Sequence, residues 1–271
     1  MIQSRKKVFS LVTIVALAFV VFFLIFQTNN KRVEGNQHNY INLKFGDNFI
    51  SYIVENKDGM AFNIFGVQDV QNTNSSIKDL VSSIEFNNPN IDVIDYQVDE
   101  GIIYQNYKLI NIIVTTKVLT DKVETADQVL IQFGNEDVKA YNFGNLAIQS
   151  DVSYQDQHIE PSGKYNVGYP SLSLDVSVKN KTDKDINFSE IHDLTKDISY
   201  EFDQSFNIHS QEKKQIKINN LNKKSEGNHD FMTITPILSY TFGNSKYVYN
   251  MPGVVYGVLD NDIDKIKKII N

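Results

Sequence analysis

The chain has 271 residues, 41% apolar and 11% aromatic, with 26 Lys+Arg against 33 Asp+Glu and no cysteine. Enough apolar surface is present to argue against a disordered chain, and without cysteine there are no disulfides and no thiol nucleophile. Arg5, Lys6, Lys7, Lys31 and Arg32 all precede the first acid, Glu34, so the other 21 bases share the rest of the chain with all 33 acids. That acidic body argues against nucleic acid as a partner, because phosphate binding needs clustered Lys and Arg.

The chain opens with a basic tail, residues 1–7, and an uncharged apolar run, residues 8–26. Nineteen helical residues at about 1.5 Å each span roughly 28 Å, the thickness of a bilayer's hydrocarbon core. The run is expected to be a transmembrane anchor in contact with the lipid bilayer, with the tail cytoplasmic by the positive-inside rule. A cleaved signal peptide fits less well, since the one small-residue triplet, Ala16-Leu17-Ala18, falls in mid-run. A pilin-type start lacks its Gly and Glu, Lys7, Val12 and Thr13 standing at those places. With 24 Lys against 2 Arg and abundant Asn and Ile, codon usage points to a low-GC genome. Together with the absent cysteines, this suggests the outer face of a Gram-positive bacterial membrane.

Residues 27–39 are polar and read as a stalk. Residues 40–150 alternate apolar and polar positions in short runs and are expected to be mostly antiparallel sheet. One stretch departs from that rhythm. Ile77, Leu80, Val81 and Ile84 fall at i, i+3, i+4 and i+7, and Ser76 with Asp79 has capping-box spacing. A single amphipathic helix is therefore expected over 76–86, ending before Asn87-Asn88-Pro89. Pro161, Gly163, Gly168 and Pro170 make residues 151–170 a linker or long loop. Beyond it, Leu172, Leu174, Val176 and Val178 alternate strictly with polar residues, and about seven short strands follow, the pattern of an immunoglobulin-like sandwich. The chain closes on a short helix, with Asp260, Asp262 and Asp264 first and Lys265, Lys267 and Lys268 last, in accord with the helix dipole. The fold class expected is mainly β: an α+β domain at 40–150, then an Ig-like sandwich with a C-terminal helix at 171–271.

The run Val176-Ser177-Val178-Lys179-Asn180-Lys181-Thr182, with the later His209-Ser210-Gln211-Glu212-Lys213-Lys214, resembles extracytoplasmic Ig-like domains of membrane-anchored Gram-positive surface proteins. The resemblance covers about a third of the chain and implies fold and location. No functional residue comes with it.

Motifs that carry chemistry are few. The Asp260, Asp262 and Asp264 spacing begins a calcium loop, but Lys265 and Asn271 stand where the loop needs Gly and Glu. His38, His158, His192, His209 and His229 have no metal-ligand spacing, and neither a nucleophile elbow nor a phosphate-binding Gly loop occurs. Asn74, Asn180 and Asn187 begin glycosylation sequons, read here as accidents of an Asn-rich bacterial chain. The densest aromatic set gives Phe242, Tyr247 and Tyr249 as a candidate partner surface, against ordinary sandwich packing. No catalytic residue, metal or cofactor is expected. The function expected is a membrane-anchored extracytoplasmic binding or scaffolding protein, acting on another membrane or envelope protein. The alternatives are an envelope hydrolase and a small-ligand sensor.

Overall fold

Alternation of buried and exposed side chains governs the chain wherever β-branched and aromatic residues recur at every second position, because successive side chains in a strand point to opposite faces. A computed structural model describes residues 41–55, 59–71, 76–151, 158–169, 171–203, 206–223, 229–257 and 261–271. The expected tail, membrane anchor and stalk lie outside the described residues. Among those described, no helix is long and apolar enough to cross a membrane.

The first half comprises β1 (Leu43–Phe45), β2 (Asn48–Glu55), β3 (Met60–Asp69), β4 (Val81–Phe86), β5 (Ile91–Tyr104), β6 (Tyr107–Val118), β7 (Glu124–Phe133) and β8 (Lys139–Asp151). The second begins with β9 (Ile159–Gly168), β10 (Ser173–Asn180), β11 (Ile186–His192), β12 (Ile198–Glu201), β13 (Asn207–Ile208) and β14 (Lys213–Ile218). It continues with β15 (Asn222–Lys223), β16 (Phe231–Ile234), β17 (Ile237–Phe242), β18 (Ser245–Asn250), β19 (Val254–Gly257) and the helix α1 (Asp262–Ile270). Among the described residues the protein is thus mainly β, with one short helix at the C-terminal end.

These strands make four sheets. The first runs β1-β3-β6-β5 and the second β19-β16-β2-β8-β7-β4; the third runs β14-β10-β9 and the fourth β15-β12-β11-β17-β18, with β13 on β11. All pairings are antiparallel except β16 with β2 and β2 with β8. One core of Ile64, Ile110, Ile112, Val114, Ile131 and Phe143 lies in the first half. A second gathers Leu174, Val176, Ile186 and Leu238 with Phe49 and Met232 from the second sheet. A smaller cluster forms where Ile266 and Ile269 of α1 meet Phe65, Val67, Leu109 and Phe231. Asn261 caps α1, its Oδ1 accepting from the Ile263 amide at 2.8 Å.

The halves are joined by one bent hairpin. β17 pairs with β18 in the fourth sheet, Ile237 opposite Asn250, across a turn where Gly243 takes φ +61°. Both arms then pass into the second sheet as β16 and β19, Ile234 opposite Val254. The passage falls at Pro236 and Pro252, where the missing N–H interrupts a ladder without leaving a donor unpaired. Thr235 ties the bend to β2: its amide donates to Ser51 O at 2.8 Å, and its hydroxyl accepts from the Ile53 amide at 3.1 Å. Residues 41–271 accordingly form one compact unit.

The structure corrects two expectations. There is no helix at 76–86; residues 77–80 form a turn and β4 begins at Val81. Ile84 and Phe86 bury while Glu85 between them is exposed, a period of two that pairing with β7 enforces. Ile77 is buried under the turn, and Leu80 and Val81 are half-buried. Within the stretch expected as a linker, residues 159–168 form β9. Pro161 is tolerated there because β9 is an edge strand and its register breaks beside that residue. Asn180, in a sequon read as accidental, is fully buried, its Nδ2 donating to the carbonyls of Lys184 and His209 at 2.7 and 3.1 Å.

Candidate functional site

A cleft of about 700 Å³ opens between β7 and β8 on one side and the β11–β12 loop on the other. Phe49, Ala126, Leu146 and Ala147 give it apolar surface. Asp127 and Asn145 come from the first half, and Thr195, Lys196 and Asp197 from the loop. His229, just ahead of β16, also lines it.

The loop is held by a buried carboxylate. Asp193, with no exposed surface, accepts from Ser51 Oγ at 2.7 Å, the Thr195 amide at 2.9 Å, Thr195 Oγ1 at 2.5 Å and the Ile198 amide at 2.8 Å. A buried carboxylate with this many donors is satisfied, and it fixes the turn carrying Asp197 against β2. On the opposite side, Asn87 donates to Asp127 Oδ1 at 2.6 Å and accepts from the Asp127 amide at 3.2 Å. Lys196 is drawn to Glu190 at 2.6 Å.

His229 is the most constrained group. Its side chain is 4% exposed, and its ring stacks on Phe49 at 4.7 Å and 21°. Nδ1 lies 3.1 Å from Asp47 Oδ1. A carboxylate only accepts, so Nδ1 carries a proton and donates to Asp47. Nε2 is buried with no hydrogen-bond partner, and Asp197 Oδ2 stands 3.9 Å away, beyond bonding range. Such an unmet polar atom costs about 1–3 kcal/mol. The nearby hydroxyls of Ser51 and Thr195 both donate to Asp193, so neither is aligned on the imidazole. Among the described residues, no three His or carboxylate groups come together to hold a metal.

Phe242 and Tyr247 do meet, around a residue not grouped with them beforehand. His158 lies 4.3 Å from the Phe242 ring and 4.6 Å from that of Tyr247, with Nδ1 3.0 Å from Tyr240 Oη. Burial, with Lys181 nearby, pushes the His158 imidazole below its usual pKa. Tyr249, expected on the same surface, is instead 4% exposed in the second core, where alternation along β18 turns it inward. Ile77 and Ile84 are buried in the first core, with Leu80 and Val81 packed against it, so the expected helix face is structural. No local pattern marks the His229 cleft, since Asp47 and His229 are 182 residues apart.

No protein-family model matches the chain, and no curated protein matches it. Among solved structures, the D0-D1 domain of intimin is similar at 9% identity, covering 80% of this chain and 99% of that one, with a TM-score of 0.21. A likeness at that score carries no argument about function.

Proposed function

We propose that the chain is a non-catalytic binding or scaffolding protein of the bacterial envelope, anchored by residues 8–26 with its β-rich body outside the membrane. It acts through contacts with another envelope or membrane protein. The observation that carries this reading is the cleft, whose two sides come from different halves and are braced by buried bonds to Asp193 and by an exposed pair of bonds between Asn87 and Asp127. A preorganised recess with apolar surface and a few fixed polar groups suits recognition. The test is a photo-crosslinker at Asn145, an exposed lining residue, in the full chain in its own cells. One recurrent membrane or envelope partner is expected, and its absence would overturn the reading.

The Asp47–His229 pair favours an envelope hydrolase as the second reading, since an imidazole oriented by a carboxylate is the usual general base. That reading predicts turnover of a peptide or wall polymer that His229→Gln abolishes. Turnover that survives the substitution would sink it.

A further inference from the structure

We propose that the tip of the β5–β6 hairpin, at Ile102 and Ile103, enters the interface of the bilayer that holds the chain, an inference that rests on residues 8–26 being the anchor. Position comes first. Leu43 on β1 stands opposite Gln68, Gln68 opposite Lys108, and Lys108 opposite Ile103. Three strand spacings of about 4.8 Å put Ile103 roughly 14 Å from the start of β1, where the chain enters the body. The Asp69 amide also donates to Asn42 O at 3.0 Å and the Val70 amide to Asn106 O at 2.8 Å, which ties that entry to the hairpin turn. An anchor ahead of residue 41 therefore tethers this end, and a tether raises the local concentration of lipid beside it.

The chemistry of the tip comes second. A bulge sets Gly101 and Ile102 opposite Leu109 alone, and Gln105 takes φ +54° in the turn. Ile102 and Ile103 are left 43% and 57% exposed in succession, while Ile110 and Ile112 on the paired strand are buried. Residues 101–108 carry one lysine and no acid. Aliphatic side chains flanked by Tyr104, Tyr107 and Lys108 suit the boundary between acyl chains and headgroups. The carboxylates near the tip have partners. Glu100 pairs with Lys108 at 2.9 Å, Asp264 with Lys267 at 3.3 Å, and Asp69 accepts from the Gln71 amide at 3.0 Å. Lys267 Nζ lies 5.7 Å from the Tyr104 ring, which sets a cation beside the tip. At the far end of the same hairpin, roughly 40 Å along the strand, the Leu119 amide bonds to Asn90 O, and Asn88 bonds to Thr125 of the cleft. Docking by the tip thus leaves the cleft clear for a partner.

The full chain has no cysteine, so one introduced thiol takes a fluorescent label at one place. Ile103→Cys, Leu119→Cys and Leu17→Cys, the last within residues 8–26, are each labelled and reconstituted into vesicles of equal parts phosphatidylcholine and phosphatidylglycerol. Fluorescence is read as lipid brominated on its acyl chains replaces ordinary lipid, since bromine quenches by contact. A loss of at least about twofold is expected at 17 and at 103, and none at 119, although Leu119 is 60% exposed and as apolar as Ile103. Unchanged melting of each labelled protein keeps a misfolded body from being read as an inserted one. Quenching at 17 without quenching at 103 leaves the anchor standing and overturns the proposal, the tip then being a protein contact or bare. Equal quenching at 103 and 119 overturns it as well, since the body would then meet lipid without preference. No quenching at 17 overturns the anchor reading and this proposal with it.

Discussion

Buried polar residues, more than apolar ones, decide local geometry here. Asn48 donates to the Gly46 and Phe143 carbonyls at 2.8 and 2.9 Å, and its Oδ1 accepts from the Phe65 amide at 3.3 Å, so one amide group holds three segments. Gly144 faces it with φ +113°, where a Cβ would stand 1.9 Å from Asn48 O. Asn180 does the same work in the second half, and its Oδ1 also accepts from the Thr182 amide at 2.8 Å. Asn180→Ala strands these buried groups together, and we expect a loss of about 3 kcal/mol in denaturant titration. A loss under about 1 kcal/mol would contradict that account. From sequence, Asn180 is readable as the end of a strand before a turn. Its burial is not, because the carbonyls of Ile208 and His209 that it meets lie 28 and 29 positions away.

At the scale of the element, the turn before β4 shows where sequence patterning misleads. Ile77, Leu80, Val81 and Ile84 fit a helical stripe, yet the stretch from Val81 to Phe86 fits a strand as well, and pairing with β7 decides. Strongly alternating runs such as β10 and β6 have no competing period and are legible as they stand. The turn is secured from outside itself. Glu100 on β5 accepts from the Ile77 amide at 2.6 Å and the Lys78 amide at 3.3 Å, and pairs with Lys108 at 2.9 Å. Burial pushes the Glu100 carboxyl up, but bonds from Lys108, Ser76 and the Lys78 amide outweigh it and leave the pKa below its ordinary 4.5. A carboxyl depressed in the fold adds stability above its unfolded pKa and loses it as the pH falls through the folded one. Glu100→Gln should therefore cost about 2 kcal/mol at pH 7, with the gap to the parent closing below pH 4.5. A gap that stays constant across that range would show that charge plays no part. Register breaks next to Ser82 in β4 and Ile94 in β5, with exposed Glu85, Asp92 and Asp95, blunt two long sheet edges against pairing with other chains.

For the whole molecule, the decisive feature is the hairpin that leaves one sheet and finishes in another. Two cores are present, as a division of the sequence near 151–170 implies, but the second sheet contributes side chains to both. The halves should lose structure together: in urea, amide exchange at Ile112 in the first core and Leu174 in the second should report one midpoint. Midpoints that separate would mean independent domains. Sequence reading misses this coupling because β16 and β2 meet across some 180 positions, and only Pro236 and Pro252 mark the bend.

The same pairing sets an order of assembly. β2 lies between β8 and β16, so one of its edges keeps unsatisfied backbone groups until residues 231–234 have been synthesised. Contacts this distant in sequence are slow to form, because loop closure must precede any gain from the ladder. The half that leaves the ribosome first is thus completed last, and the nascent chain has an open template beside Phe49 and Ile50 for most of its synthesis. A chaperone that shields extended apolar segments would act in that interval.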